Sequence, residues 1–250
     1  MKAVLYILMV LLSSLTFAQD NNAIFEQANT LYNNGKYAEA IDKYQAILDN
    51  GMHSSELFFN LGNAHYKLNH VGLSVYYFEK ALQLAPNDTD IKNNIAYARN
   101  MTIDAIDVVP EVGISKLLKN VTGILSFDGW AIITVVLFIV FVVLFISYYF
   151  SEYTAKKRLA FSTSLIVLFT GCLTLFFAFH DYNLTQKDNP AIIFAQESQV
   201  KSEPNLSSQE AFILHEGTKV QVLDTVNNWK KIKLSDGKTG WISSSDIKVL

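Results

Sequence analysis

The chain is 250 residues long, half of its residues are apolar, and its formal net charge is −3. A mildly acidic chain lacks the positive field that attracts nucleic acid, so we expect no nucleic-acid partner. The single cysteine, Cys172, excludes an intrachain disulfide and a metal site built from cysteines.

Residues 1–18 have the pattern of a secretory signal peptide. Lys2 gives a positive start, residues 3–12 are apolar, and Thr16 and Ala18 stand three and one positions before a possible cleavage point. The pattern predicts export followed by removal of the segment. An anchor helix that stays uncleaved is the alternative.

A unit of 34 residues, Ser55 to Asp88, carries apolar and small residues at regular helical spacings. Phe58, Leu61 and His65 recur at three- and four-residue steps and share one helix face, and Pro86 ends a second helix. The residues at the repeat positions are Phe58, Leu61, Gly62, Tyr66, Ser74, Phe78, Ala81, Leu82 and Pro86. The unit resembles a tetratricopeptide repeat, a helical pair that docks peptides and has no chemistry of its own.

A weaker copy of the same unit precedes it at residues 21–54. A shift of 34 residues aligns Tyr32 with Tyr66 and keeps the other apolar positions in phase. Residues 89–101 form one further amphipathic pattern of the kind that caps such repeats. We therefore predict an all-α tetratricopeptide solenoid, two repeats plus a capping helix, over residues 21–103.

In tetratricopeptide repeats, positions 2, 5, 9 and 12 of the first helix face a concave groove. These positions hold Asn22, Phe25, Asn29 and Tyr32 in the first repeat and Glu56, Phe59, Asn63 and Tyr66 in the second. Asparagine amides donate and accept hydrogen bonds along an extended peptide, and aromatic rings add apolar contact. The groove is therefore predicted to bind a protein partner. The alternative is that Asn63 follows the repeat consensus and Tyr66 only packs between repeats.

The subset of repeats that clamps a free carboxylate has lysine at the positions of Phe25 and Phe59. This sequence has phenylalanine at both positions. A free C terminus is therefore not the expected ligand of the groove.

Residues 104–128 are predicted to form a linker and an amphipathic helix ahead of a long apolar run. Apolar residues recur at helical spacing opposite Ser115, Lys119 and Asn120. They are Ile114, Leu117, Leu118, Val121, Ile124 and Leu125. The pattern favours a helix on the outer membrane interface, and a linker helix packed on the repeats is the alternative.

Two uncharged runs predict two transmembrane helices, at residues 129–150 and 159–179. Ala131 to Phe150 and Leu159 to Phe179 hold 20 and 21 residues without a charge. At ~1.5 Å per residue, each run spans a hydrocarbon core of ~30 Å. Helices in the core of a soluble domain would show a polar face, which these runs lack. Trp130 begins the first run at a position typical of an interfacial aromatic belt.

The short segment between the runs, residues 151–158, contains Lys156, Lys157 and Arg158. Basic residues concentrate in cytoplasmic loops, so this segment is predicted to be a cytoplasmic loop. A two-helix hairpin then places both flanking domains on the opposite side of the membrane. The predicted export of the N-terminal segment leads independently to the same arrangement.

Residues 189–250 change to a pattern of short strands. Alternating segments at 219–223 and 229–234 are followed by a turn at 236–240 and by Gly240-Trp241-Ile242. This region resembles a bacterial SH3-like barrel, a small all-β fold that binds peptides or cell-wall material. Residues 198–211 are polar and are predicted to form a loop.

Trp229 and Trp241 are the candidate ligand-binding residues of the SH3-like surface. We predict that Trp229 lies at the surface of the barrel. For Trp241 and Ile242, burial in the core is favoured over contact with a ligand.

The sequence offers no constellation for catalysis. Its five histidines have no metal-ligand spacing, and motifs for nucleophilic serine, zinc protease, thiol redox or phosphate-loop chemistry do not occur. We therefore expect a protein that is not an enzyme and that has no catalytic residues, no metal and no cofactor.

The order of segments is a signal peptide, repeats, a two-helix membrane hairpin and a small all-β domain. With Asp128-Gly129-Trp130-Ala131 at the entry to the first span, it resembles the BatE proteins of the Bacteroidetes aerotolerance operon. The resemblance implies an inner-membrane protein with periplasmic domains. It also implies von Willebrand factor A-type membrane partners and a functional link to a MoxR-type ATPase, in envelope or oxidative stress.

Two functions follow from these features. The first is a membrane-tethered adaptor whose repeats dock a partner protein, with residues 189–250 dispensable for complex formation. The second is a cell-wall sensor that binds peptidoglycan or peptides through the SH3-like domain.

Overall fold

The structure, a computed structural model, describes residues 21–107, 109 and 113–250. The predicted signal peptide, residues 1–18, lies outside the described residues. The chain divides into two compact units. The first combines the N-terminal helices with residues 189–250, and the second contains residues 109–188.

Five helices build the N-terminal part of the first unit. They are α1 (residues 21–33), α2 (Tyr37–Asp49), α3 (Ser55–Lys67), α4 (Val71–Leu84) and α5 (Thr89–Arg99). The side chain of Ser54 caps α3 by accepting a hydrogen bond from the amide of Leu57, and Asp88 caps α5 in the same way. Consecutive helices pack on each other around one apolar core.

The crossing of α3 and α4 depends on two small residues. A Cβ atom at Gly62 would lie 2.7 Å from the ring of Phe78, so a larger residue would push the helices apart. The hydroxyl of Ser74 donates a hydrogen bond of 2.9 Å to the carbonyl of Gly62. Gly62 and Ser74 therefore allow α3 and α4 to approach closely.

A histidine pair joins the end of α3 to the start of α4, with His65 buried and His70 exposed. His65 Nδ1 is 3.1 Å from His70 Nδ1, and the His65 ring stacks on Tyr77 at 5.4 Å. Burial, and secondarily the charge of His70, lower the pKa of His65 from 6.5 to about 4. The contact needs one nitrogen to donate and the other to accept, so two fully protonated rings would repel.

We expect this pair to make the repeats sensitive to acid. Because the folded pKa of His65 lies below its unfolded value, the unfolded chain takes up the proton first as the pH falls. The free energy of unfolding has its full value above pH 6.5. It decreases as the pH falls from 6.5 to 4, by about 3 kcal/mol in total. Urea unfolding at a series of pH values measures this decline. His65→Gln should flatten it, whereas His53→Gln, at an exposed site, should not; equal slopes in both variants would contradict the assignment.

The second unit contains α6 (Ile114–Thr122), α7 (Phe127–Phe150) and α8 (Thr154–Lys187). The long helices α7 and α8 pack along each other, with a 2.9 Å hydrogen bond between the hydroxyls of Thr134 and Thr174. Both are long and apolar enough to cross a membrane. In the most apolar 18-residue stretch of each helix, only 6% of α7 and 17% of α8 is buried. Neither helix is therefore enclosed by the described residues as the core helix of a soluble domain would be.

The connection between α7 and α8 is shorter than the sequence predicts. Only residues 151–153 are non-helical, and Lys156, Lys157 and Arg158 lie in the first two turns of α8. Helix α8 also continues beyond the predicted end of the second run at residue 179. At the start of the helix, Ala155, Lys156, Lys157 and Arg158 have good helix propensity, so backbone hydrogen bonding extends the helix ahead of the apolar segment.

Seven strands form the C-terminal domain. They are β1 (Pro190–Ile193), β2 (Glu197–Lys201), β3 (Glu210–His215), β4 (Lys219–Val226), β5 (Trp229–Lys233), β6 (Thr239–Ser243) and β7 (Ile247–Val249). They form one antiparallel sheet in the order β3-β2-β6-β5-β4-β1-β7. The prediction of a loop over residues 198–211 is wrong for both ends of that segment, which belong to β2 and β3. Polar residues on the exposed face hid the alternation, whereas Ser198 and Val200 point inwards.

The C-terminal domain packs directly on the repeats. Ile192 of β1 is fully buried in the apolar core of the N-terminal helices, and Phe194 and Leu250 pack against that core. The rings of Phe194 and Tyr76 meet edge to face at 5.7 Å. Lys248 Nζ lies 4.6 Å from the centre of the Tyr76 ring. The C-terminal domain therefore contributes to the core of the helices, although it also has a core of its own that includes Ile193, Ile232 and Ile242.

The turn between β3 and β4 caps helix α4. Glu216 Oε1 accepts a 2.8 Å hydrogen bond from the amide of Gly72, while the side chain of His70, at the N-cap position, makes no capping hydrogen bond to α4. Gly217 adopts a φ of +88°, and a Cβ atom there would lie 2.7 Å from Thr102. The C-terminal domain thus supplies the capping carboxylate that the helix itself lacks.

Buried charges complete the interface. Glu79 of α4 is buried and pairs with Arg99 and, at 2.8 Å, with Lys219 of β4. Asp104 accepts hydrogen bonds of 2.7 Å from the amide of His215 and 2.6 Å from the hydroxyl of Thr218. Burial alone would raise the pKa of Asp104, but the hydrogen bonds from Thr218 and His215 outweigh it, so the pKa is lowered.

Candidate partner-binding groove

The predicted groove residues of α1 and α3 remain accessible with the C-terminal domain in place. Phe25, Phe59, Asn63 and Tyr66 are all half-buried. The polar contacts to the C-terminal domain described above come from α4 and from Asp104, and Thr102 lies close to Gly217. In a helical pair of this kind the second helix forms the convex side, so the domain packs on the back of the repeats.

The aromatic residues of the groove are anchored in the core by one side. The ring of Phe25 lies 5.7 Å from that of Tyr44, and Phe59 lies 5.8 Å from Phe78. Tyr32 contacts Tyr37 at 5.2 Å. Rings held in this way present a fixed apolar surface and lose little conformational entropy when a partner binds.

Asn29 is used inside the repeats, which differs from the predicted ladder of free amides. Its Oδ1 accepts a 2.6 Å hydrogen bond from the hydroxyl of Tyr44 and a 3.1 Å bond from Nδ2 of Asn60. Burial raises the pKa of Tyr44 to about 12, so this hydroxyl remains a donor. Asn60 was not among the predicted groove residues. Its position three residues before Asn63 places it beside that residue on the surface of α3.

Asn63 is the amide that stays available. It is half-buried, and within the described part of the chain its side chain makes no hydrogen bond. Its amide therefore has donor and acceptor capacity for an incoming backbone, between the rings of Phe59 and Tyr66 on neighbouring turns of α3.

The different roles of the two asparagines give a prediction. We expect Asn29→Ala to lower the free energy of unfolding by about 2 kcal/mol, because it leaves the buried Tyr44 hydroxyl without its acceptor. Asn63→Ala should leave stability within about 0.5 kcal/mol of the parent, since no internal bond is lost. Urea unfolding of both variants measures the difference, and equal losses would contradict the assignment.

A cleft of about 240 Å³ lies at one end of the groove. It opens between α1, the end of α2 and the start of α3. Asn22, Phe25 and Glu56 line it, together with Met52 and His53 from the preceding turn. These include groove positions 2 and 5, so the cleft extends the accessible surface towards the first repeat.

The C-terminal domain carries a second candidate surface. Trp229, Lys231 and Lys233 alternate with the buried Ile232 on β5, and therefore share the outer face. The strand register places Trp241 of β6 beside Lys231, whose Nζ lies 5.9 Å from the centre of the indole ring.

Lys201 of β2 completes this surface on the other side of Trp241. Trp241 is half-exposed, so the prediction that it is buried in the core is wrong, whereas Ile242 is fully buried. Trp229 is half-exposed as well. The lysines were missed because only the register brings them together.

Comparison with known families identifies two parts of the chain. The model of the tetratricopeptide repeat matches residues 55–88, and the model of the bacterial SH3 domain matches residues 198–248. The chain carries a tetratricopeptide repeat and a bacterial SH3 domain. Both predictions are thereby confirmed for these residues. Comparison with curated protein sequences gives no match.

The two matches bound the function. A tetratricopeptide repeat indicates protein–protein interaction, and the SH3 domain indicates binding of peptides or peptidoglycan. Among the described residues, no three histidine, cysteine, aspartate or glutamate side chains are grouped so that they could hold a metal ion. The first repeat, residues 21–54, has the helix pair that the 34-residue shift predicts, and the shared core joins it to the second.

Proposed function

We propose that this protein is a non-enzymatic membrane adaptor that docks a partner protein in the groove of its repeats. The observation that carries the proposal is the open amide of Asn63 between Phe59 and Tyr66, on a face that the SH3 domain leaves accessible. An extended segment of a partner protein fits this arrangement of one amide and flanking rings.

The hairpin of α7 and α8 provides the membrane anchor in this proposal. At ~1.5 Å per residue, α7 is about 36 Å long and exceeds the ~30 Å hydrocarbon core. The repeats precede the hairpin and the SH3 domain follows it, yet the two pack into one unit. They must therefore lie on the same side of the membrane, as two crossings require.

The charges at the tip of the hairpin support a periplasmic placement of that unit. Lys156, Lys157 and Arg158 stand next to the connection between the helices. Such residues are retained on the cytoplasmic side, which supports a periplasmic location for the repeats and the SH3 domain.

The finer assignment is to a complex of the Bat type. The repeat, the two apolar helices and the SH3 domain occur in the order of the BatE proteins, which this chain resembles. The partners proposed on this basis are von Willebrand factor A-type membrane proteins, with a functional link to a MoxR-type ATPase in aerotolerance or envelope stress.

Labelling with a membrane-impermeant maleimide tests the placement. Single cysteines replace the exposed residues Tyr97, Leu206 and Tyr153 in a Cys172→Ala background. In spheroplasts, positions 97 and 206 should react at once, and position 153 only after the membrane is permeabilised. Labelling of positions 97 and 206 from opposite sides, or of all three at once, would contradict the proposed topology.

A second candidate function is a cell-wall sensor that binds through the SH3 domain. The face formed by Trp229, Trp241, Lys201, Lys231 and Lys233 favours it, because aromatic rings suit sugars and lysines suit the carboxylates of peptide stems.

Sedimentation of the intact protein in mild detergent with purified sacculi tests this candidate. Binding should fall in Lys231→Glu but not in Lys238→Glu, a charge change in the turn between β5 and β6. Failure of the intact protein to sediment, or an equal effect of the two substitutions, would reject the sensor function.

A further inference from the structure

Helix α6 has one apolar face that the described residues leave partly exposed. At about 100° per residue, Ile114, Leu117, Leu118 and Val121 fall within one arc, opposite Lys116, Lys119 and Asn120. Ile114 is 84% exposed and Leu117 is 65% exposed. Ile124 and Leu125, just after the helix, continue the exposed apolar surface.

The C-terminal end of α6 is fixed beside the start of α7. The indole Nε1 of Trp130 donates a 2.8 Å hydrogen bond to the carbonyl of Thr122, the last residue of α6. Thr122 is almost fully buried, and Trp130 packs edge to face on Phe177 of α8. Residues 123–126 are the only link between the two helices. The helix is therefore held at the level where the apolar part of α7 begins.

We propose that α6 lies on the surface of the bilayer, with Ile114, Leu117 and Val121 in the lipid. The inference rests on the proposed membrane insertion of α7 and α8. The exposed apolar surface of α6 continues into the exposed apolar surface of α7. The same apolar environment, the hydrocarbon of the bilayer, therefore suits both helices. The opposite arc carries Lys116 and Lys119, which suits the phosphate groups of anionic phospholipids.

This arrangement also assigns the position of Trp130. An indole ring prefers the headgroup level of a bilayer, where one edge is apolar and its N–H finds a polar partner. Here the partner is the carbonyl of Thr122, at the end of the helix that we place at that level.

Fluorescence quenching of the full chain in vesicles of phosphatidylethanolamine and phosphatidylglycerol tests the proposal. In a Cys172→Ala background, Leu117→Cys, Asn120→Cys and Val142→Cys carry an environment-sensitive fluorophore. Position 117 probes the apolar arc, position 120 the polar arc, and position 142 the exposed middle of α7. Brominated lipid reports contact with acyl chains, and iodide reports contact with water.

Brominated lipid should quench positions 117 and 142, and iodide should quench position 120 roughly threefold more than position 117. If iodide quenches positions 117 and 120 equally while position 142 is in lipid, the inference about α6 is overturned. The proposal that α7 and α8 anchor the protein in the membrane is not affected by that result. Protection of position 117 from both quenchers would assign the face to a protein or to a second copy, and would also overturn it. Water access at position 142 would reject the membrane anchor itself, and the inference with it.

Discussion

Removal of residues 189–250 is expected to destabilise the tetratricopeptide repeats by on the order of 5 kcal/mol. The deletion exposes the core that Ile192 fills and removes the contacts of Phe194 and Leu250. It also leaves the buried Glu79 without Lys219 and the amide of Gly72 without its capping carboxylate. The contacts of Phe194, Lys219 and Glu216 are all with α4, so the second repeat should be affected most.

Hydrogen exchange of α4 in detergent measures this effect, with the full chain and a chain that ends at residue 188. Two substitutions separate the contributions: Glu216→Ala removes the cap, and Lys219→Met removes one partner of Glu79. Lys233→Met, on the outer face of the same domain, is the control. Equal protection of α4 in the full and shortened chains would show that the interface contributes nothing.

The interface changes how one expectation from the sequence can be tested. The adaptor hypothesis predicts that residues 189–250 are dispensable for complex formation, but a deletion that unsettles α4 also disturbs α3, which packs on it. Loss of a partner after the deletion therefore does not identify the SH3 domain as the binding site. Point substitutions on each surface separate the two functions, because they leave the shared core in place.

Substitution of Asn63 by arginine is expected to lower partner binding at least about tenfold. The longer charged side chain fills the space between Phe59 and Tyr66 and removes the amide acceptor. Since Asn63 makes no side-chain hydrogen bond to any residue that the structure describes, the repeats should stay folded. The measurement is quantitative mass spectrometry of the proteins that co-purify from native membranes in mild detergent.

Asn93→Arg on α5 provides the matched control, because it adds the same charge at an exposed asparagine outside the groove. Unfolding temperatures of both variants should equal that of the parent within error. Undiminished recovery of the partner with a folded Asn63→Arg protein would show that the groove is not the docking site.

Much of the secondary structure follows from the sequence, because periodicity and local signals agree. Serine and aspartate are residue types that cap helices, and α3 and α5 begin directly after Ser54 and Asp88. The apolar runs predicted α7 and α8, since no polar face interrupts them. In the SH3 domain, the turn at 236–240 places β5 and β6 as expected.

Features that depend on tertiary packing were not predictable from one sequence. The pairing of Glu79 with Lys219 joins residues 140 positions apart, and nothing local marks either one. The hydrogen bond of Asn60 to Asn29 depends on how α1 meets α3, which the 34-residue repeat does not define. The prediction that Trp241 is buried was wrong. Side chains alternate between the two faces of a strand, and which face is buried is not known until the strand register is known.

Photo-crosslinking in intact membranes tests the adaptor function most directly. A benzophenone side chain replaces Asn63 in the groove and, separately, Gln83, an exposed residue of α4. The account predicts that position 63 crosslinks to a membrane protein with a von Willebrand factor A-type domain and that position 83 does not. Equal crosslinking from both positions, or capture of peptidoglycan fragments alone, would contradict a partner-binding groove in the repeats.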